Sequence, residues 1–356
     1  MSITIKAFPA NDGDCFIIKY GESEKIYNVM VDGGRATKDT LRKLKVELDH
    51  IKELNQCIDL LIVTHIDLDH IDGVLKIFQL DINKNLIKSV WFNSGRNIAK
   101  HFETNVSAER DVPIIISDDT KIGVKQGESL EKELEKLKLM TDGVIMQGDQ
   151  YILGDAVFNI LSPNINNLRD LNKIWEVELE KEDELKVSGV TKTNDHKLSV
   201  KVLSNQGFVE DQSLANASSI AFLMEYKSKK ILMLGDAVPT VIVEGLKKLN
   251  YCEKNKLSLD LMKISHHGSR KNTSGTLMEL ISCNRYIIST NGGKLKRLLP
   301  DKESLSRILN SNRSARTIFY FNYPIFKQIF SEEEIGHYDI VCKDLSQSHI
   351  DYMIEV

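Results

Sequence analysis

The run "IDLLIVT" at 58–64 constrains the fold more than any other stretch. It is almost continuously apolar, with no alternation of polar and apolar positions. A strand of that kind has both faces covered, which is the situation of a parallel strand in a sheet flanked by helices. Its surroundings agree. "ITIKAF", "CFIIKY" and "YNVMVD" read as short strands joined by Gly/Asp turns, and Leu41, Leu44, Leu48 and Ile51 recur at helical spacing over 37–56. Helix "GVLKIFQL", strand "IKSVWF" and the charged helix "ESLEKELEKLKL" (128–139) follow. After 217 the rhythm repeats: a hairpin in "ASSIAFLMEYKSKKILMLGD", a helix near 239–250, strand "LDLMKI", a helix near 274–282, strand "RYIIST", a helix near 302–310 and "TIFYF". Two βα halves packed together are the expected outcome. Between them, 165–213 is rich in charge and reads as an exposed insertion, part helix and part loop.

Composition limits the function classes. With 356 residues and 42% hydrophobic content there is material for a large core. A net charge of -4 excludes a chain that binds polyanions over its whole surface, and leaves room for a local basic patch. The five cysteines have no C-x-x-C spacing and most sit in apolar company, as free thiols of a reducing cytoplasm do. The start "MSITIKAFPA" has no signal-peptide pattern, and no apolar run approaches a bilayer span of about 20 residues. A cytoplasmic location with no membrane partner is therefore expected.

The apolar run ends in "THIDLDHIDG", which places His65, Asp67, Asp69 and His70 on the loop leaving the strand. In α/β architectures ligands bind beyond the carboxyl ends of strands. Asp69 alone could cap a helix, and His70 alone could be a surface residue. Together, so many charges repel unless solvated or bound to a cation, and imidazole with carboxylate suits Zn²⁺, Mn²⁺ or Fe²⁺. Asp236 in "LMLGDAVP" and His266-His267 in "LMKISHHGSRKNTS" also follow apolar strands. Adjacent loop histidines point in different directions, so one can ligate while the other moves protons. Arg270, Lys271, Lys294, Lys296 and Arg297 stand on loops beside these clusters, where charge-assisted hydrogen bonds could hold phosphate.

These motifs together resemble the metallo-β-lactamase superfamily of hydrolases, and within it the branch typified by the soluble domain of the ComEC DNA-uptake channel. The superfamily's H-x-H-x-D-H reads here as His65-Ile66-Asp67-Leu68-Asp69-His70, with the second-histidine Asp common in that branch. "NDGDCFIIKYG", "VDGG", "NASSIAFLMEYKSKKILMLGDA", "KISHHGSRKNTS" and "IISTNGG" followed by "LPDKESLSRIL" resemble its other elements, from residue 5 to about 310. The resemblance implies an α/β (more broadly α+β) chain folded as the four-layer αβ/βα sandwich of the metallo-β-lactamase fold. It implies one domain over 1–356, with the insertion near 165–213. It implies one or two divalent ions, Zn or Mn, held by His65, Asp67, Asp69, His70, Asp236 and His266. Asp69, His267 and Ser269 become the catalytic candidates; Arg270, Lys271, Asn291 and Lys294 become the substrate-binding ones. The implied function is a phosphodiesterase or nuclease acting on nucleic acid or nucleotides through a metal-activated hydroxide. The alternatives are an ester or lactone hydrolase of the same fold, or a catalytically reduced binding subunit. Relatives of this branch look like components of multi-protein prokaryotic systems, defence against phage included, so a protein partner is also implied. Two departures stand out. Leu299-Pro300 replaces the branch's His-Pro, and no histidine between His70 and Asp236 stands out as a third ligand for the first metal site, His101 and His196 being the only candidates.

Overall fold

Side-chain parity along the run at 58–64 explains its continuous apolarity. Leu60 and Ile62 pack between two sheets, while Leu61 and Val63 pack under helices. The same split recurs at Val29/Val31 against Met30, and at Phe222/Met224 against Leu223. A strand that alternates between two apolar environments shows no polar period.

The computed structural model describes residues 2–22, 25–103, 119–180, 195–293, 298–312, 316–346 and 348–353. Its strands are β1 (Ser2–Ala7), β2 (Phe16–Glu22), β3 (Lys25–Val31), β4 (Leu60–Ile62), β5 (Val90–Trp91), β6 (Gln150–Leu153), β7 (Ala156–Ser162), β8 (Ala221–Tyr226), β9 (Lys229–Met233), β10 (Leu257–Ser258), β11 (Leu261–Lys263), β12 (Ile281–Ser282), β13 (Arg285–Ile288), β14 (Thr317–Phe321), β15 (Ile340–Asp344) and β16 (Ile350–Met353). Its helices are α1 (Lys38–Glu53), α2 (Leu68–Gln79), α3 (Gly95–His101), α4 (Asp119–Leu137), α5 (Ile165–Glu180), α6 (Val200–Leu203), α7 (Leu214–Ala217), α8 (Pro239–Lys248), α9 (Gly275–Glu279), α10 (Lys302–Ser311) and α11 (Glu332–His337).

One large sheet runs β16-β1-β2-β3-β4-β5 and the other β15-β14-β13-β11-β9-β8-β7-β6, with β10 and β12 a separate parallel pair. Both are mixed: antiparallel hairpins on one side, parallel strands on the other. Residues of both sheets share a central core, with Phe16, Ile18, Phe158, Phe222 and Ile231 among them. A second apolar layer lies between the first sheet and α1, α2, α4 and α5, and a third between the second sheet and α8, α9 and α10. This is the four-layer αβ/βα sandwich that the sequence led us to expect. No described helix is long and apolar enough to cross a membrane.

Two sequence expectations need adjustment. The stretch 165–213 is not wholly peripheral. Leu168, Leu171 and Trp175 of α5 are buried to 1% exposure or less and join the core under the first sheet. Each such side chain contributes roughly 1.5–3 kcal/mol, so charge content alone misjudged this helix. Residues 181–194 of the stretch lie outside the described residues. The helix expected at 73–80 begins at Leu68 instead, so Asp69 and His70 sit in its first turn and not on a free loop.

Candidate metal centre

The connections after β3, β4, β9, β11 and β13, with the β1–β2 turn, meet at one edge of the two sheets. They bring Asp14, Asp32, His65, His70, Asp236 and His267 together, and all six are nearly or fully buried. The centre of this cluster is a pair of imidazoles. His70 Nε2 and His267 Nε2 face each other at 3.4 Å. The other nitrogen of each ring is already committed. His70 Nδ1 donates to Asp32 Oδ2 at 2.8 Å, and His267 Nδ1 donates to the Ser289 carbonyl at 2.8 Å. Both tautomers are thereby fixed with the Nε2 lone pair turned inward, the arrangement typical of metal-ligating histidines. Carboxylates complete the shell. Asp236 Oδ1 lies 3.4 Å from His70 Nε2 and Asp236 Oδ2 lies 3.5 Å from His267 Nε2. Asp69 Oδ2 is 3.1 Å from His267 Nε2 and 3.9 Å from His70 Nε2.

Asp236 Oδ1 is buried and accepts no hydrogen bond. A buried, orphaned carboxylate oxygen beside two inward lone pairs is costly unless a cation sits among them. The donor set Asp69, His70, Asp236 and His267 therefore fits a divalent ion of the kind held by nitrogen and oxygen. Without an ion, protons do that work. Burial pushes the His70 and His267 imidazoles down, yet Asp236, with Asp69 and Asp32 around His70 and Asp14 and Asp69 around His267, holds both well above the usual histidine range. Burial likewise pushes Asp236 up, and His267, His70 and His266 pull it well below the carboxylate range. A metal would displace these protons.

Asp32 anchors the second layer. Its Oδ1 accepts from Thr64 N at 2.7 Å and its Oδ2 from Thr64 Oγ1 at 2.7 Å, so both oxygens serve to aim His70. Such partners matter by about 10–100-fold in metal affinity. Asp32→Asn is expected to weaken metal binding by about that factor with little loss of fold, as read by competition with a chromogenic chelator. The backbone beneath is held by close packing: Gly33 N donates to His70 O at 2.9 Å, and a Cβ on Gly73 would lie 2.0 Å from Gly33 O. Gly73→Ala must push α2 away from the β3 turn. We expect a melting point lower by several degrees, measured by calorimetry, as overpacking costs of about 1–3 kcal/mol imply.

The expected residues divide by position. Asp69, His70 and Asp236 are in the cluster. His65 and Asp67 form an adjoining pair, His65 Nε2 to Asp67 Oδ2 at 3.6 Å, with His65 Nδ1 hydrogen-bonded to Thr64 Oγ1 and both His65 Nε2 and Asp67 Oδ1 orphaned. They could hold a second ion only with further donors. His101 is exposed at the end of α3, and His196 donates from Nε2 to the Pro300 carbonyl, so neither is placed as a third ligand.

The two adjacent histidines, of which the sequence left open the one that would ligate, are turned to different sides. Both occupy left-handed backbone, φ +46° at His266 and +54° at His267, and the chain reversal sends their rings apart. His267 goes inward. His266 stays partly exposed, its Nδ1 3.1 Å from Asp211 Oδ2 and 3.0 Å from Asn272 Oδ1, its Nε2 3.7 Å from Asp236 Oδ2. Ser269 Oγ accepts from Lys271 N and shapes the turn; it does not reach the cluster. Arg270 is drawn toward Glu303 at 3.5 Å, and its backbone N–H donates to Asp301. The Lys271 side chain is exposed, and its carbonyl accepts from Asp211 N. Asn291 donates to Asn11 Oδ1 at the rim. Lys294, with Lys296 and Arg297, lies outside the described residues.

Sequence reasoning missed four participants. Asp32 and Asp211 are described above. Asp14 and Lys263 form a fully buried ion pair, with Lys263 Nζ also donating to Gly235 O at 2.9 Å and lying 3.9 Å from Asp236 Oδ1. Asp14 Oδ1 is 3.5 Å from His267 Nδ1, on the side of the ring away from the other donors. Asp14 therefore orients His267 and is engaged by lysine, although its atoms lie within 4.8 Å of the cluster's. The signal for Lys263 was present: a lysine inside the otherwise apolar strand "LMKI" needs a buried anion.

No protein-family model matches the chain, and no curated protein matches it. Solved structures do. The metallo-β-lactamase-fold protein YhfI from Bacillus subtilis is 9% identical, with 99% of each chain covered and a TM-score of 0.41. A diphosphatase of the PhnP family is 10% identical, covering 100% of this chain and 99% of its own, at 0.42. Zn²⁺-bound PqqB from Methylobacterium extorquens is 8% identical, covering 99% and 100%, at 0.42. The likeness is one of fold alone.

Proposed function

We propose that this chain is a metal-dependent hydrolase that cleaves phosphodiesters of nucleic acid or nucleotides, as expected for the ComEC-like branch it resembles. The observation that supports this reading most is the facing Nε2 pair of His70 and His267, closed by Asp236 and Asp69 and fixed from behind by Asp32 and Ser289. When bound there, a divalent ion would act as a Lewis acid and bring the pKa of water down to about 7.

The chain's own groups supply the rest. Asp69, which also stands among the donors and is partly open to solvent on the cluster's rim, orients the attacking water, whose proton leaves through that open rim to solvent. The water oxygen forms the new P–O bond as the bond to the leaving alkoxide breaks. His266 delivers a proton to that leaving oxygen from Nε2; its Nδ1 is held by Asp211, which fixes the tautomer as a carboxylate does in hydrolytic triads. Helix α4 excludes water from the inner wall: a Cβ on its Gly123 would lie 2.7 Å from Ile66 O, so the helix rests directly on the "HIDLDH" loop.

Hydrolysis of bis(p-nitrophenyl) phosphate and of a labelled oligonucleotide, with and without Zn²⁺ or Mn²⁺, tests the reading. Metal-dependent release of nitrophenol and of oligonucleotide fragments is the expected result. Hydrolysis of p-nitrophenyl esters alone would overturn the phosphodiester assignment and favour the ester-hydrolase alternative.

A further inference from the structure

Two cavities open beside the metal centre, and neither is part of it. One, of about 350 Å³, begins at the Asn291–Gly293 turn and is walled by Leu299, His196 and Lys327. The other, of about 600 Å³, lies between α6 and α11 and is lined by Lys197, Lys201, Lys327, His337 and Tyr338, with one exposed acid, Glu333, on the α11 wall against these three lysines. They share His196, Lys327, Gln328 and Ile329, so they form one groove. Its near end is two residues from Ser289, whose carbonyl holds His267, and Pro300, which accepts from His196 Nε2 at 2.9 Å, packs against Gly268.

The walls are fixed. Lys302 Nζ on the floor pairs with Glu334 at 2.8 Å, and Glu334 also accepts from Val200 N and Ser331 N. Asp195 accepts from Lys302 N and Glu303 N, tying the segment before α6 to the start of α10. The cations above this floor are not neutralised. Lys197, Lys201 and Lys327 are exposed and form no ion pair among the described residues. Rings line the same groove: His196 is half-buried, and Tyr338 is half-buried with His337 packed edge-on against it at 4.6 Å. Unpaired lysines and rings lining one groove are the combination by which proteins hold single strands without reading sequence: charge for the backbone, ring faces for the bases.

We infer that this groove binds the single-stranded nucleic-acid chain on one side of the scissile phosphodiester, so that the substrate is a polynucleotide and not a lone nucleotide. The inference rests on the phosphodiesterase reading and adds to it a strand-binding site built from Lys197, Lys201 and Lys327, none of which touches the metal centre.

The test uses metal-loaded protein, a fluorescein-labelled phosphorothioate oligothymidylate that resists cleavage, and fluorescence anisotropy. The triple variant K197S/K201S/K327S changes only exposed side chains, and circular dichroism checks its fold. Three lost phosphate contacts should lower the slope of log K against log salt by about 2 and raise Kd about 10-fold or more near 0.1 M salt. Hydrolysis of bis(p-nitrophenyl) phosphate, which is too short to enter the groove, should stay at the wild-type rate. Equal Kd and equal salt slope in wild type and variant would overturn the groove. Equal competition by a duplex would overturn its assignment to single strands. Failure of the wild type to hydrolyse bis(p-nitrophenyl) phosphate would instead overturn the phosphodiesterase reading, and is separable because binding is read without turnover.

Discussion

Replacing His267 by Ala is expected to abolish both metal retention and hydrolysis, whereas His266→Ala is expected to keep the metal and lose only rate. This contrast is the largest expected from any single pair of substitutions. The two residues are neighbours in sequence, but only His267 turns Nε2 toward His70, Asp69 and Asp236. Its loss removes one of four donors and takes a partner from both Asp69 and Asp236. The chemistry a metal supplies amounts to several kcal/mol, so kcat should fall about 1000-fold or more. His266 acts from the open side with Asp211 behind it, and loss of a general acid typically costs about 100- to 10,000-fold. Metal content per chain and the rate on bis(p-nitrophenyl) phosphate, measured for both variants, decide the matter. Metal retained in His267→Ala and lost in His266→Ala would reverse the assignment.

The second large effect is on stability. Lys263→Met leaves Asp14 buried without its fully buried cation partner, with only the His267 ring 3.5 Å away to offset its charge. Breaking a buried pair from one side costs about 3–5 kcal/mol, which is a large share of a typical domain's stability. Urea denaturation should show that loss. The double variant Lys263→Met with Asp14→Asn should recover at least half of it, because the lone charge is gone. A loss under about 1 kcal/mol in the single variant would mean that water reaches Asp14 and that the pair is not sealed.

What the sequence disclosed follows from how costly each group is at its place. His65, Asp69 and His70 were legible because polar residues rarely crowd the end of a run such as "DLLIV" unless something binds them. A strand covered on both faces was legible because Leu60–Val63 lacks a polar period, and the four-layer sandwich around it was what the family resemblance implied. Asp14, Asp32 and Asp211 were not, because an aspartate beside glycine or in a polar stretch reads as an ordinary turn; their roles depend on contacts across 32 residues or more, such as Asp32 with Thr64 and Asp211 with His266. The choice between His266 and His267 was hidden for another reason. It is set by two consecutive positive φ values, and neither residue type announces that conformation. The strands β15 and β16 were missed because "IVCKD" and "IDYM" are short, partly charged edge segments, which are paired by tertiary context and not by propensity.

The central claim is that Asp69, His70, Asp236 and His267 hold a divalent ion. Metal per chain, measured by inductively coupled plasma mass spectrometry on protein purified without chelators, tests it most directly. At least one equivalent of Zn or Mn per chain is expected, with a second only if the His65–Asp67 pair finds further donors. Protein that carries no metal, and takes up none when dialysed against Zn²⁺ and Mn²⁺, would contradict it.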